Sequence, residues 1–127
     1  MYKPKYFKYE EFESDDLPGS GRNMDSTFLQ MLDNAREHSE GTPFIITSGY
    51  RTEQKNTAVG GKEKTASSKG SSHLYGYAAD IACMDSSNRQ KIITALIKAG
   101  FTRIGIAKSF IHVDNDPDKP AAFWLYS

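Results

Sequence analysis

The sequence predicts an α+β domain in which a small antiparallel sheet is flanked by two main helices. Two segments repeat apolar residues at helical spacing, and several short runs are rich in β-branched and aromatic residues. The last three of these runs follow one another with short connections, which favours hairpin pairing. With 127 residues, 38% of them hydrophobic, the chain has the size of one domain with a buried core, so residues 1–127 are treated as a single domain.

The first helix is expected to begin after Asp25, a good N-cap residue, and to end before Pro43. Its apolar face comprises Phe28, Leu29, Leu32 and Ala35. The second helix is expected to begin at residues 85–86, and Gly100 suits the position after its last turn. Its apolar face comprises Ile92, Ile93, Leu96 and Ile97.

Short apolar runs predict the strands. Residues 44–48 are read as a buried strand and residues 78–82 as a second one. Three further strands are predicted at 103–107, 110–114 and 123–126. Residues 52–72, which are rich in Lys, Ser, Thr and Gly, are read as a long functional loop. Residues 1–23 are read as a polar segment with a turn at 17–21.

Composition excludes several classes of protein. Sixteen basic and sixteen acidic residues give a formal net charge of +0, which argues against a nucleic-acid binder. No apolar run approaches the roughly 18 residues of a membrane span, and the first residues do not read as a secretory signal. The lone Cys83 excludes an internal disulfide and a four-thiolate zinc site. Any metal site must therefore use His38, His73, His112 or carboxylates.

The run 110–114 separates polar from apolar side chains. In a strand, Phe110, His112 and Asp114 share one face, while Ile111 and Val113 share the other. The apolar pair would enter the core, and the polar residues would project into a site.

Two imidazoles and a carboxylate are a common ligand set for catalytic zinc, which keeps a fourth position for water. His73, Asp80 and His112 provide that set, and Asp80 lies within an apolar run where a buried carboxylate needs a partner. Spacing alone leaves the alternative open that the histidines are satisfied core or surface residues and that Asp80 is a capping residue.

Several motifs resemble one family. The segment SHLYGYAAD at 72–80 resembles the S-x-H-x-x-G-x-A-x-D motif of zinc D-Ala-D-Ala carboxypeptidases, whose wider group includes lysostaphin-type peptidases and hedgehog signalling domains. Residues 46–52 resemble the family's S-G-Y-R segment, and 59–61 its V-G-G. Residues 19–21, 24–25 and 110–114 resemble the start and the closing H-x-D of its short, phage-type branch. The resemblance covers about residues 7–126.

The resemblance implies a site. Arg51 matches an arginine near the metal, suited to a substrate carboxylate or a developing oxyanion, although a structural ion pair is an alternative. Ser48 and Tyr50 are assigned to the substrate-binding wall, and Tyr50 could equally belong to the core. The implied Zn²⁺ ligands are His73, Asp80 and His112.

One departure concerns the general base. Many relatives place a Glu or a His shortly before the last ligand, whereas residues 105–111 contain neither. Asp114 is the remaining candidate for a catalytic base. Its alternative role is to accept a hydrogen bond from a ligand histidine and fix its tautomer. Both roles stay open here.

The resemblance also implies a function: a zinc peptidase that hydrolyses D-amino-acid-containing bonds of peptidoglycan stem peptides. The bond is D-Ala-D-Ala for a carboxypeptidase, and L-Ala-D-Glu or a cross-bridge for an endopeptidase. With no signal peptide recognised, we expect a phage or prophage lysis enzyme that is made in the cytoplasm and reaches the cell wall after release. We expect a monomer with no nucleic-acid partner. The alternatives are a non-catalytic zinc-stabilised binding domain and a phage structural domain.

Overall fold

The computed structural model describes residues 1–127 and confirms the α+β class. The α-helices are α1 (Ser26–Glu37), α2 (Glu53–Ala58) and α3 (Ser86–Lys98). The strands are β1 (Ile46–Ser48), β2 (Ala78–Ala82), β3 (Arg103–Ile106), β4 (Phe110–Asp114) and β5 (Ala122–Leu125). Short 3₁₀ helices cover Tyr9–Phe12, Ser20–Asn23 and Ser72–Tyr75.

The five strands form one sheet in the order β1-β2-β4-β3-β5. All neighbouring pairs are antiparallel except β3 and β5, which run parallel. In this one respect the sheet differs from the antiparallel sheet that was predicted. Both edges of β4 are already paired, with β2 and β3, so the returning chain adds β5 on the free edge of β3.

One face of the sheet belongs to the core. Side chains at alternate positions of the central strands are buried in one cluster with residues of α1 and α3. As predicted for β4, Ile111 and Val113 belong to this cluster and are fully buried. The other sheet residues of the cluster are Ala79, Ile81 and Ile104. The opposite face of the sheet is therefore free to carry polar groups.

The two main helices begin where the sequence predicts. The side chain of Asp25 accepts a hydrogen bond from the Phe28 amide, and that of Asp85 accepts one from the Asn88 amide. Gly100 adopts a left-handed φ of 97° just after α3. The core-facing stripe of α3 is narrower than predicted, because Ile97 is 47% exposed.

The prediction of a buried strand at residues 44–48 is confirmed only in part, because the strand is shorter and less buried than expected. Only Ile46–Ser48 form β1, which lies at the edge of the sheet, and Ile45 is 60% exposed. An edge strand has a neighbour on one side only, so a β-branched run there does not guarantee burial.

The long loop predicted at 52–72 contains α2 and the start of a 3₁₀ helix. The side chain of Thr52 caps α2 by accepting a hydrogen bond of 3.1 Å from the Lys55 amide. Helix α2 is six residues long and polar, so it has no apolar periodicity to reveal it.

The N-terminal segment, read as polar, also contributes to the core through Phe7 and Phe12. Asp33 of α1, 5% exposed, fastens this segment. Its carboxylate accepts a hydrogen bond from the Tyr2 hydroxyl and from the amides of Lys5 (2.8 Å) and Tyr6 (3.1 Å). None of the helices has the length and apolar character needed to cross a bilayer.

Replacing Asp33 by Ala should lower the free energy of unfolding by about 2 kcal/mol, because hydrogen bonds to a charged acceptor are lost together. Urea denaturation measures this. Asp15→Ala is the matched control, since Asp15 forms only an exposed ion pair with Lys55 and should change stability by less than about 0.5 kcal/mol. Equal effects of the two substitutions would contradict the role given to Asp33.

Candidate metal centre

A row of residues crosses all five strands on the face of the sheet opposite the core. Pairing places Ser48 beside Asp80, Asp80 beside His112, His112 beside Gly105, and Gly105 beside Trp124. Directly paired residues point to the same face of a sheet. The register of the strands therefore brings Asp80 and His112 together, and Asp114 lies on the same face as predicted.

His73 reaches this row from the 3₁₀ helix Ser72–Tyr75. The Ser71 side chain accepts a hydrogen bond from the His73 amide, and Gly76, at a left-handed φ of 76°, turns the chain into β2. The His73 and His112 rings lie 5.2 Å apart. One ligand atom each of His73, Asp80 and His112 lies within 4.8 Å of the others, and all three residues are buried.

Hydrogen bonds fix which nitrogen of each histidine faces Asp80. His73 Nδ1 lies 2.7 Å from the Gly49 carbonyl oxygen, which can only accept, so Nδ1 carries the proton. His73 Nε2 then presents a lone pair to Asp80 Oδ1, 3.4 Å away.

His112 faces Asp80 with its other ring nitrogen, Nδ1, whereas His73 faces it with Nε2. The Nε2 of His112 lies 2.7 Å from Asp114 Oδ2 and donates to that carboxylate. Its Nδ1 lies 3.0 Å from Asp80 Oδ1. When His112 is neutral, Nδ1 therefore also presents a lone pair to the Asp80 oxygen.

This donor set fits a cation. Two imidazole lone pairs and a carboxylate oxygen converge, and such acceptors need a proton or a cation between them. Two neutral nitrogens and one carboxylate oxygen are a zinc ligand set that leaves a fourth position open. Each histidine also has the second hydrogen bond that usually orients a metal-binding imidazole, to Gly49 and to Asp114.

The pKa values of the three residues are shifted by their burial and by their contacts with one another. Burial raises the pKa of Asp80, but hydrogen bonds with His112 and His73 outweigh it and hold that pKa below its ordinary value. Burial lowers the pKa of His73. Burial also lowers the pKa of His112, but its hydrogen bonds with Asp114 and Asp80 outweigh that effect and raise it. Without a metal, a proton on His112 neutralises the cluster.

Arg51 lies beside the cluster and is held by three partners. Its Nη2 lies 3.3 Å from Asp80 Oδ2, and its Nε donates to Ser48 Oγ at 3.0 Å. Its Nη1 donates to Asn56 Oδ1 at 3.2 Å. The Arg51 amide donates to the His73 carbonyl, so the Ser48–Arg51 segment joins β1 to the His73 helix.

The glycines at 60 and 61 let the chain pass over Arg51. Gly60 has a left-handed φ of 77°, and a Cβ at Gly61 would lie 2.0 Å from Asn56 Oδ1 and 2.9 Å from Arg51 Nη1. The V-G-G motif thus has a physical explanation as a turn packed against the Arg51–Asn56 pair.

Asp114 is almost fully enclosed, with 1% of its surface exposed. Besides His112, its partners are Arg103 Nε at 2.7 Å and the Asp116 amide at 3.1 Å, both on Oδ1. Burial raises the pKa of Asp114, but the hydrogen bond and charge of His112, the Asp116 amide and Arg103 together outweigh it, so the net shift is downward and the carboxylate is ionised.

The cluster lies in a cleft of about 460 Å³. Ser48 and Tyr50, predicted to bind substrate, do not line it: Ser48 holds Arg51, and Tyr50 packs against the core. Several residues that line the cleft were not predicted from the sequence, among them Arg103, Lys119, Trp124 and Tyr126. The alternation of Trp124 and Tyr126 in a strand put them on one face, but the sequence did not show which strand β5 pairs with.

The family model described as Peptidase M15 matches residues 5–114. The matched segment includes His73, Asp80, His112 and Arg51. No curated protein matches the chain.

Replacing His73, Asp80 or His112 by Ala should each abolish stoichiometric zinc binding, because two ligands hold zinc much less tightly than three. Metal analysis after dialysis measures the zinc content. His38→Ala is the matched control: His38 is exposed at the end of α1 and should leave one zinc per chain. Full zinc retention in any of the three variants would contradict the ligand assignment.

Replacing Asp114 by Asn should keep one zinc per chain but weaken its affinity about 10–100-fold, because the charge that makes His112 more basic is lost. Competition with a chromophoric chelator measures the affinity. Asp118→Asn is the control, since Asp118 is exposed and pairs only with Lys69.

The same variant separates the two roles of Asp114. Turnover restored by saturating zinc indicates a positioning role. A loss of about 10²-fold or more that persists at saturating zinc indicates a general base.

Proposed function

We propose a substrate and a reaction for this protein from one established premise: the chain belongs to the peptidase M15 family. Peptidases of this family are zinc-dependent. We propose that the protein hydrolyses D-amino-acid-containing peptide bonds of peptidoglycan stem peptides. The observation that carries the proposal is the convergence of His73, Asp80 and His112 on the floor of a cleft.

Zinc held by these three residues would supply Lewis-acid activation of water and of the scissile carbonyl. The protein sets the tautomer of each histidine ligand and the ionisation of the carboxylate ligand. Gly49 and Asp114 hold the protons on the far nitrogens of His73 and His112, and the lowered pKa of Asp80 keeps its carboxylate ionised. The positions of the ligand atoms are thus set before metal or substrate arrives, and the proton on His112 Nδ1 would be replaced by a bound metal.

Arg51 is proposed to stabilise the oxyanion that develops on the substrate. Its guanidinium lines the cleft beside Asp80, and three of its N–H groups have partners. A guanidinium has five N–H donors, so two remain for a substrate oxygen. Ser48 and Asn56 set the plane of the group, which favours a defined geometry for that contact.

Asp114 is proposed to act through His112. Its hydrogen bonds to His112, Arg103 and the Asp116 amide occupy both carboxylate oxygens. This arrangement supports the tautomer-fixing role over the role of general base.

The charge of the cleft supports an anionic peptide as substrate. Four cationic side chains line it against two carboxylates, Asp80 and Asp114, although the chain has a net charge of +0. The cations are Arg51, Lys62, Arg103 and Lys119. Free carboxylates are present at the D-Ala terminus and at the D-Glu residue of stem peptides, so D-Ala-D-Ala and L-Ala-D-Glu are the two bonds proposed. The resemblance to the phage-type branch supports a role in cell-wall lysis.

A second candidate is a zinc-stabilised binding domain without turnover. It is favoured by one observation: among the residues lining the cleft there is no Glu, and the only histidines are the two proposed ligands. The cleft therefore contains neither of the general bases that many relatives carry.

Digestion of purified peptidoglycan, with and without a chelator, should separate these possibilities when the products are read by mass spectrometry. Loss of a terminal Ala that the chelator abolishes identifies a carboxypeptidase, and a new internal amine identifies an endopeptidase. A protein that holds one zinc and releases no product would overturn the proposed activity in favour of the binding domain.

Arg51→Lys, which keeps the charge but loses the planar guanidinium with its five N–H donors, should reduce the rate of hydrolysis in the same digestion at least tenfold.

A further inference from the structure

We propose that Tyr126 is a further catalytic residue, whose hydroxyl donates a hydrogen bond to the substrate oxygen on which negative charge develops. The inference rests on the proposed function. The proton stays on Tyr126 throughout, so the residue supplies a fixed dipole and no proton transfer.

The sheet directs Tyr126 toward the metal centre. Trp124 is the last member of the row that contains Asp80 and His112, and Tyr126 follows it two positions later, on the same side of the strand. The Tyr126 amide donates to the Ile106 carbonyl at 2.9 Å, which continues the pairing with β3 past Leu125. The backbone of Tyr126 is thus held by the sheet.

Packing fixes the ring. The Tyr126 ring lies 5.2 Å from the Phe110 ring and 6.3 Å from the Trp124 ring, and the Trp124 ring in turn lies 5.5 Å from that of His112. A Cβ at Gly105 would lie 2.6 Å from Trp124 and 2.7 Å from Tyr126. The absence of a side chain at this position lets both rings lie close over the sheet beside the ligand histidine.

The residue is nevertheless open to the cleft. Tyr126 is 43% exposed and lines the cleft together with Arg51, Asp80 and His112. Burial of its hydroxyl raises the pKa of Tyr126, and the neighbouring Trp124 side chain offsets only part of that effect. The phenol therefore stays protonated at neutral pH and can donate.

Several other polar groups of the cleft have partners within the protein. Asp114 is occupied by His112 and Arg103. The Lys119 ammonium donates to the Gly70 carbonyl and the Ser72 hydroxyl, both at 2.9 Å. Arg103 donates to Asp114 and to the Pro120 carbonyl. The Tyr126 hydroxyl is the donor that we assign to complement Arg51 at a substrate oxygen, because both residues line the cleft beside Asp80 and His112.

Tyr126→Phe tests this role, because it removes the hydroxyl and keeps the ring that packs on Phe110 and Trp124. With a stem pentapeptide as substrate for the zinc-loaded protein, kcat should fall by about 10²-fold, the scale of losing one oxyanion donor, while KM changes by less than about threefold. Zinc content and the melting temperature should stay unchanged. Tyr6→Phe, on an exposed tyrosine beside α1, is the matched control and should leave kcat unchanged.

A binding measurement provides a readout besides turnover. A phosphinate pseudodipeptide carries a tetrahedral oxyanion, so Tyr126→Phe should weaken its binding at least tenfold, whereas binding of the planar product peptide should change little. Equal phosphinate affinities for wild type and variant, or a rise in KM with unchanged kcat, would overturn the role of Tyr126 and leave the proposed function standing. A wild-type protein that neither hydrolyses nor binds these compounds would overturn both.

Discussion

The carboxylate of Asp80 is the group on which the rest of the site depends. It lies in the second strand of the sheet, almost out of contact with water, and faces two imidazoles and a guanidinium. An isolated charge in such a place would be too costly to keep, so its partners must be held at fixed positions. The strand, the 3₁₀ helix and the loop that carry those partners are therefore tied together around a single side chain.

The alternation of side chains along the strands gives the sheet one apolar and one polar face. Its apolar face supplies the core beneath α1 and α3, and its polar face carries the row from Ser48 to Trp124. A slip of one residue in β4 would put Ile111 and Val113 into the cleft and His112 into the core. Burial of the apolar face thus enforces the register that assembles the ligands, so the stability of the fold and the geometry of the centre have the same origin.

Local patterns predicted much of the fold, and the family resemblance indicated the His73, Asp80 and His112 cluster that the structure brings together. Non-local pairing explains what neither of them revealed. Helices α1 and α3 have caps and apolar periodicity, and β2 and β4 have short apolar runs, so all four were predicted close to their bounds. Helix α2 has no periodicity. The pairing of β5 with β3 is encoded by neither strand alone, so Trp124 and Tyr126 were not placed at the site. The second hydrogen bond of each histidine depends on tertiary distances that spacing does not contain.

The parallel edge strand has an evolutionary consequence. The groups proposed to hold zinc lie at positions 73 to 112, whereas Trp124 and Tyr126 come from β5 and the residue that follows it, which are joined to the sheet by backbone pairing with β3. Residue 124 can therefore be exchanged by drift or by directed selection without moving the backbone that carries the proposed ligands, whereas position 126 is constrained by the role proposed for the Tyr126 hydroxyl. Variation at position 124 would thus reshape one wall of the cleft and leave the His73, Asp80 and His112 cluster in place.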